Sequence, residues 1–86
     1  MANTNNKPVH QIRLNAIRAA IWLNQSDKTG KSWFTVTVSR SYLDKEQFKD
    51  TTAFRRDDLP IVSKAIELAY AWIWEQSAQD DSEAIE

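Results

Sequence analysis

The chain contains no cysteine, so it can form no disulfide framework and offers no thiolate as nucleophile or metal ligand. Its single histidine, His10, sits near the N-terminus, which leaves no basis for a Ser-His-Asp arrangement or a His/Cys metal site. No apolar run reaches the roughly 18 residues of a membrane span. The opening Met-Ala-Asn-Thr-Asn-Asn-Lys lacks the apolar centre of a secretory signal. Excess charge is missing as well: 11 Lys and Arg against 12 Asp and Glu give a net charge of −1, so there is no global basic signature of a nucleic-acid binder. These absences predict a cytoplasmic protein without membrane, metal or cofactor, and nothing in the sequence supports an enzyme.

What is present, in 86 residues, is enough for one domain near the lower size limit of a single core. Its centre is Trp33 to Tyr42, where Phe34, Val36 and Val38 alternate with Thr35, Thr37 and Ser39. That period of two, rich in β-branched and aromatic residues, predicts a strand with one buried and one wet face. On its N-terminal side the alternation changes phase between Ile12/Leu14 and Ile17/Ala19/Ile21. A bulge or tight turn near Asn15-Ala16 is therefore expected. Either one long bent strand results, or Val9–Leu14 is a strand of its own. Residues 24–31 carry the only glycine and predict a hairpin loop; Leu43 to Glu46 predicts a second turn. Phe48 to Arg56 forms the last strand.

Asp57-Asp58-Leu59-Pro60 is a helix start: carboxylates that cap and meet the positive end of the dipole, then a proline where an amide would be unpaired anyway. The helix is expected from about Pro60 to Gln76. The overall expectation is α+β: an antiparallel meander of three or four strands followed by one long C-terminal helix. The domain is bounded at residues 9–76, with a disordered arm at 1–8 and an acidic, disordered tail at 77–86.

The helix carries more apolar residues than one sheet requires. Val62, Ala65, Ile66, Ala69 and Ile73 make one stripe, which Ile61, Leu68, Tyr70, Trp72 and Trp74 widen beyond the ~100° of a surface helix. A homodimer through the helix follows, with Ile61, Leu68, Trp72 and Trp74 at the interface.

Pairing the strands gives the functional expectation. With Ile21 opposite Phe34 and Trp22 opposite Trp33, and with Val36 opposite Phe54, Tyr42 opposite Phe48 and Arg40 opposite Asp50, one face is apolar and meets the helix. The other presents Arg18, Trp22, Trp33, Thr35, Thr37, Ser39, Lys49 and Arg55, with Lys31 in the loop nearby. Aromatic rings stack bases while Lys and Arg follow phosphates, so this face predicts binding of single-stranded nucleic acid, DNA before RNA, with low sequence preference. Trp22 and Trp33 would stack; Arg18, Lys31, Lys49 and Arg55 would hold phosphates. The alternative is a small protein-interaction module, of the kind of a phage inhibitor or adaptor, docking a protein on the same Trp-rich face. A purely structural cross-strand Trp pair is the blandest reading.

Two motif-like stretches have simpler explanations. Residues 25–32 match the end of a G-x-x-x-x-G-K-[ST] phosphate loop but begin with Gln25, and a strand follows where the loop's helix should be. Asp57-Asp58 looks like a catalytic pair, which capping explains. His10 reads as a solvated residue entering the first strand. The order of elements, with the Arg18/Trp22/Trp33/Lys49/Arg55 face, resembles the positive cofactor four and Whirly group of single-stranded DNA-binding proteins over about Val9 to Gln76. That resemblance implies curved antiparallel sheets binding extended single strands, C-terminal helices that dimerise or pack on the sheets, and an accessory role in transcription, replication or repair.

Overall fold

The structure, a computed structural model, describes residues 7–80, with side chains through Gln76. Four strands, β1 (His10–Leu14), β2 (Ile17–Gln25), β3 (Ser32–Asp44) and β4 (Gln47–Thr51), form one antiparallel sheet in the order β1-β2-β3-β4. A 3₁₀ turn (Arg56–Asp58) leads into a single helix, α1 (Leu59–Asp80). The α+β meander-then-helix arrangement is as expected, with Val9–Leu14 resolved into a strand of its own. α1 continues past Gln76 into the stretch expected to be tail. The rest of that tail, and all but Lys7 and Pro8 of the expected N-terminal arm, lie outside the described residues.

The phase change at Asn15-Ala16 is a two-residue turn, in which Leu14 pairs with Ile17 and Asn15 takes φ 57°. Asparagine tolerates that left-handed region better than most residues. The β2–β3 loop closes by Ser26 N donating to Lys31 O at 2.8 Å and Gly30 N donating to Ser26 O at 2.9 Å, with Gly30 at φ 76°. The β3–β4 connection is tighter than Leu43–Glu46 suggested. Its two residues, Lys45 and Glu46, both have positive φ, 52° and 69°, the backbone of a type I′ hairpin that normally selects Asn-Gly. Left-handed Lys and Glu cost about 1–2 kcal/mol each. The double substitution Lys45→Asn, Glu46→Gly is therefore expected to stabilise the protein by about 1 kcal/mol, after the added chain entropy of glycine is subtracted. The check is a raised denaturant midpoint at unchanged m-value.

The two-residue turn also corrects the register. Tyr42 pairs with Lys49, Leu43 with Phe48 and Ser41 with Asp50, one residue away from the expected pairing. A one-residue slip exchanges faces: Phe48 points to the solvent face and is 79 % exposed, while Lys49 joins the helix side. In the β2–β3 pair the slip is two residues, Ile21 with Val36 and Leu23 with Phe34, so each side chain keeps its expected face.

The core lies between β2 and α1. Ile17, Ala19 and Ile21 from the sheet meet Ala65 and Ala69 from the helix, all buried. Alanines on both elements let the backbones approach closely. Ile12, Leu14, Phe34, Val38, Phe54, Val62 and Ile73 close the rim. Phe54 reaches that rim after the chain has left the sheet at Thr51, not by strand alternation. Trp72 packs edge-on against Phe34, centroids 5.7 Å apart, and lies parallel to His10 at 4.7 Å and 6°. His10 is thus half-buried against the helix, contrary to the expectation of a solvated residue.

Candidate nucleic-acid interface

Alternation along the paired strands assigns one solvent face to Gln11 and Arg13 of β1, Arg18, Ala20, Trp22 and Asn24 of β2, Trp33 through Leu43 at odd positions of β3, and Phe48 and Asp50 of β4. The helix packs against the opposite side of β1, β2 and β3. Trp22, Trp33, Thr35, Thr37 and Arg18 are brought together on this face as expected. Trp33 is 49 % exposed, and Lys31, exposed in the loop, precedes it by two residues.

Trp22 and Trp33 are not cross-strand partners. Trp22 pairs with Thr35 and Trp33 with Asn24, so the two indoles are diagonal neighbours across the β2–β3 pair. Each threonine is engaged by β2: Trp22 Nε1 donates to Thr37 Oγ1 at 2.9 Å, and Asn24 Nδ2 donates to Thr35 Oγ1 at 3.0 Å. Two consequences follow. The indole of Trp22 is fixed over the sheet instead of swinging on its χ angles. Each threonine hydroxyl, accepting from β2, keeps its own proton to donate outward. A fixed ring beside two outward donors suits a base with a phosphate next to it.

Lys49 and Arg55 do not join this surface. Lys49 lies on the helix side of β4 with its Nζ 3.1 Å from Asp44 Oδ2. Arg55 lies beyond the sheet, which ends at Thr51; its backbone N–H donates to Asp58 Oδ2 at 2.9 Å. The expected Arg40–Asp50 ion pair is also replaced. Arg40 Nε lies 3.3 Å from Asp58 Oδ2, in ion-pair range but off the line of a hydrogen bond, and Asp50 Oδ1 accepts from Ser41 Oγ at 3.1 Å. In place of Lys49 and Arg55 the sheet supplies Arg13, directly opposite Arg18, and Phe48. Arg13 was readable from the Leu14/Ile17 turn, which sets position 13 against 18. Phe48 carried no signal, because its face depends on the length of a turn that lacks Asn and Gly.

Of the four residues expected at a helix interface, Ile61 and Trp72 pack on the chain's own core and Leu68 is half-buried. Trp74 is 56 % exposed and meets Tyr70 edge-on at 6.1 Å. With Ile66 these residues form an open stripe at four-residue spacing. Among the described residues, no helix is long and apolar enough to cross a membrane.

No protein-family model matches the chain, and no curated protein or solved structure does either.

Proposed function

We propose that the helix-free face of the sheet binds single-stranded nucleic acid, DNA in preference to RNA, with little sequence preference. The observation that carries this reading is the row Trp33–Trp22–Arg18–Arg13. It pairs a half-exposed ring and a hydrogen-bonded ring with two arginines that face no carboxylate partner among the described residues. Outward hydroxyls of Thr35 and Thr37 lie between them. The near-neutral total charge does not oppose the reading, since Asp44, Asp57, Asp58 and Glu67 are each tied to a basic side chain away from this face. The carboxylate that the strand register does put on it, Asp50, lies at the β4 end, away from the arginines. The four strands and C-terminal helix also fit the positive cofactor four and Whirly resemblance, and with it an accessory role in transcription, replication or repair. The test is a tryptophan-fluorescence titration with unlabelled oligothymidylate at two salt concentrations. Quenching that weakens as salt rises supports the proposal; no quenching at low salt would leave protein docking on the same face as the better account.

The active species is a homodimer formed on the other side. Ile66, Tyr70 and Trp74 are 47, 60 and 56 % exposed, and Val36 and Tyr42 on the helix side of β3 are each 36 % exposed. β4 pairs only with Arg40–Asp44, so the edge of β3 before Arg40 has no sheet partner on that side. A second copy is the occupant that fits: a two-fold axis brings each helix stripe to the other chain's uncovered strand, an isologous contact, and leaves both tryptophan faces open. Tyr70→Glu or Trp74→Glu should convert the dimer to a folded monomer, because each would bury an unpaired charge. Light scattering that returns a monomer for the parent protein at high concentration removes the dimer. Trp72 is unsuited to this test, since its ring holds His10 and Phe34.

A further inference from the structure

At the far end of the same face two cations are placed against each other without evident structural use. Arg13 and Arg18 are directly opposite across β1 and β2, and like charges so placed weaken a strand pair. Arg40, Lys49, Arg56 and Lys64 each lie beside a carboxylate; Arg13 and Arg18 do not, among the described residues. Next to Arg13 is an open hollow of about 580 Å³ lined by Arg13, Asn15, Ala16, Ser41 and Phe48, within the range of small-ligand sites. Its floor is fixed, since Ser41 N donates to Ala16 O at 2.9 Å and Ser41 Oγ donates to Asp50 Oδ1 at 3.1 Å. Phe48 forms the wall away from the arginines and is 79 % exposed, on a strand that gives it no core to enter.

We propose that this hollow holds one nucleotide unit, its base against Phe48 and its phosphate between Arg13 and Arg18. The arrangement is polar in one direction only. Asp50 occupies the Phe48 side and repels a phosphate there, so the anion goes to the arginine end and the uncharged base to the ring. Asn15 and Ser41 lie between, at the level of the sugar. The site rests on the single-strand reading and extends it: a strand running along β3 from Trp33 past Trp22 ends here, and its terminal nucleotide is clasped on two sides instead of lying on an open sheet.

The test is an amide NMR titration of the full chain with thymidine 5′-monophosphate, with inorganic phosphate, and with a longer oligothymidylate. The mononucleotide should move the amides of Asn15, Ala16, Ser41 and Phe48 and leave the indole N–H signals of Trp22 and Trp33 in place. Phe48→Ala and Arg13→Gln, both at exposed positions, should each weaken that binding by roughly tenfold. If inorganic phosphate reproduces the same shifts with the same affinity, the base has no site and the proposal is overturned. If the oligonucleotide moves the tryptophan signals but the mononucleotide leaves the hollow unchanged, the hollow is overturned and the broader reading stands. The converse pattern, hollow shifts without tryptophan shifts, upholds the hollow and removes the broader reading.

Discussion

Replacing Trp33 by alanine should weaken oligothymidylate binding by about 1–3 kcal/mol, the worth of one stacked base, with the salt dependence almost unchanged. Trp33 is the cleaner of the two tryptophans to remove. It is the second residue of β3, is half exposed, and makes none of the side-chain hydrogen bonds of the face, whereas Trp22 also ties β2 to Thr37. Arg18→Ala should do the opposite. With Lys31 on one phosphate and Arg13 and Arg18 sharing another, the log–log salt slope for a single strand should be roughly −1.4, at about −0.7 per phosphate. Loss of Arg18 should move it toward about −0.7. Duplex DNA should bind less tightly than the single strand, because its bases are stacked on each other and cannot lie on the indoles. Equal affinity of Trp33→Ala and parent would remove stacking from the account. A salt slope unaffected by Arg18→Ala would remove the phosphate role of the arginine row.

How far this face was readable from sequence depends on what fixes each residue's side. The alternation of Phe34, Val36 and Val38 with Thr35, Thr37 and Ser39 is local and strong, and it set the face of β3 correctly. β2 was misplaced by two residues, yet a shift of two preserves side-chain direction, so Arg18 and Trp22 kept their face. β4 was misplaced by one, and every side chain changed sides. The cause is Lys45-Glu46, a type I′ turn without the Asn or Gly that announces one. Phe48 and Lys49 exchanged places as a result, taking a phosphate contact off the face and putting an aromatic ring onto it. The helix start at Asp57-Asp58 was legible because capping chemistry is local. The partner of Arg40 was not. Asp50 is its neighbour on paper, whereas Asp58 reaches it only once the chain has turned back over the sheet. The apolar breadth of α1 was likewise ambiguous in sequence; Trp72 resolves part of it by packing on His10 and Phe34, and Ile66, Tyr70 and Trp74 remain outside.

Asp58→Ala should be among the most damaging single substitutions outside the apolar core, because this carboxylate has two tasks. Its Oδ2 accepts from the Arg55 N–H at 2.9 Å, closing the first turn before α1. The same oxygen lies 3.3 Å from Arg40 Nε, with the Arg40 and Asp58 side chains only 16 % and 22 % exposed. Loss of the cap costs about 1 kcal/mol. The uncompensated, mostly buried guanidinium costs more, though less than the 3–5 kcal/mol of a fully buried pair, since some solvent reaches it. Together these give about 2–3 kcal/mol, which for a domain of this size is a fall in Tm of roughly 10–20 °C. Asp58→Asn keeps an acceptor for Arg55 and should lose only the charge, so it should fall between parent and alanine. Asp57 is the internal control. Its contact to Arg56 at 3.5 Å joins side chains 92 % and 89 % exposed, and Asp57→Ala should leave Tm nearly unchanged. A double-mutant cycle with Arg40→Met isolates the ion pair, because methionine removes the charge whose burial causes the loss. If Asp58→Ala melts no lower than Asp57→Ala, the coupling of β3 to the helix start through Arg40 is absent. α1 is then held on the sheet by its apolar contacts, Ala65 and Ala69 at the core with Val62, Trp72 and Ile73 around them.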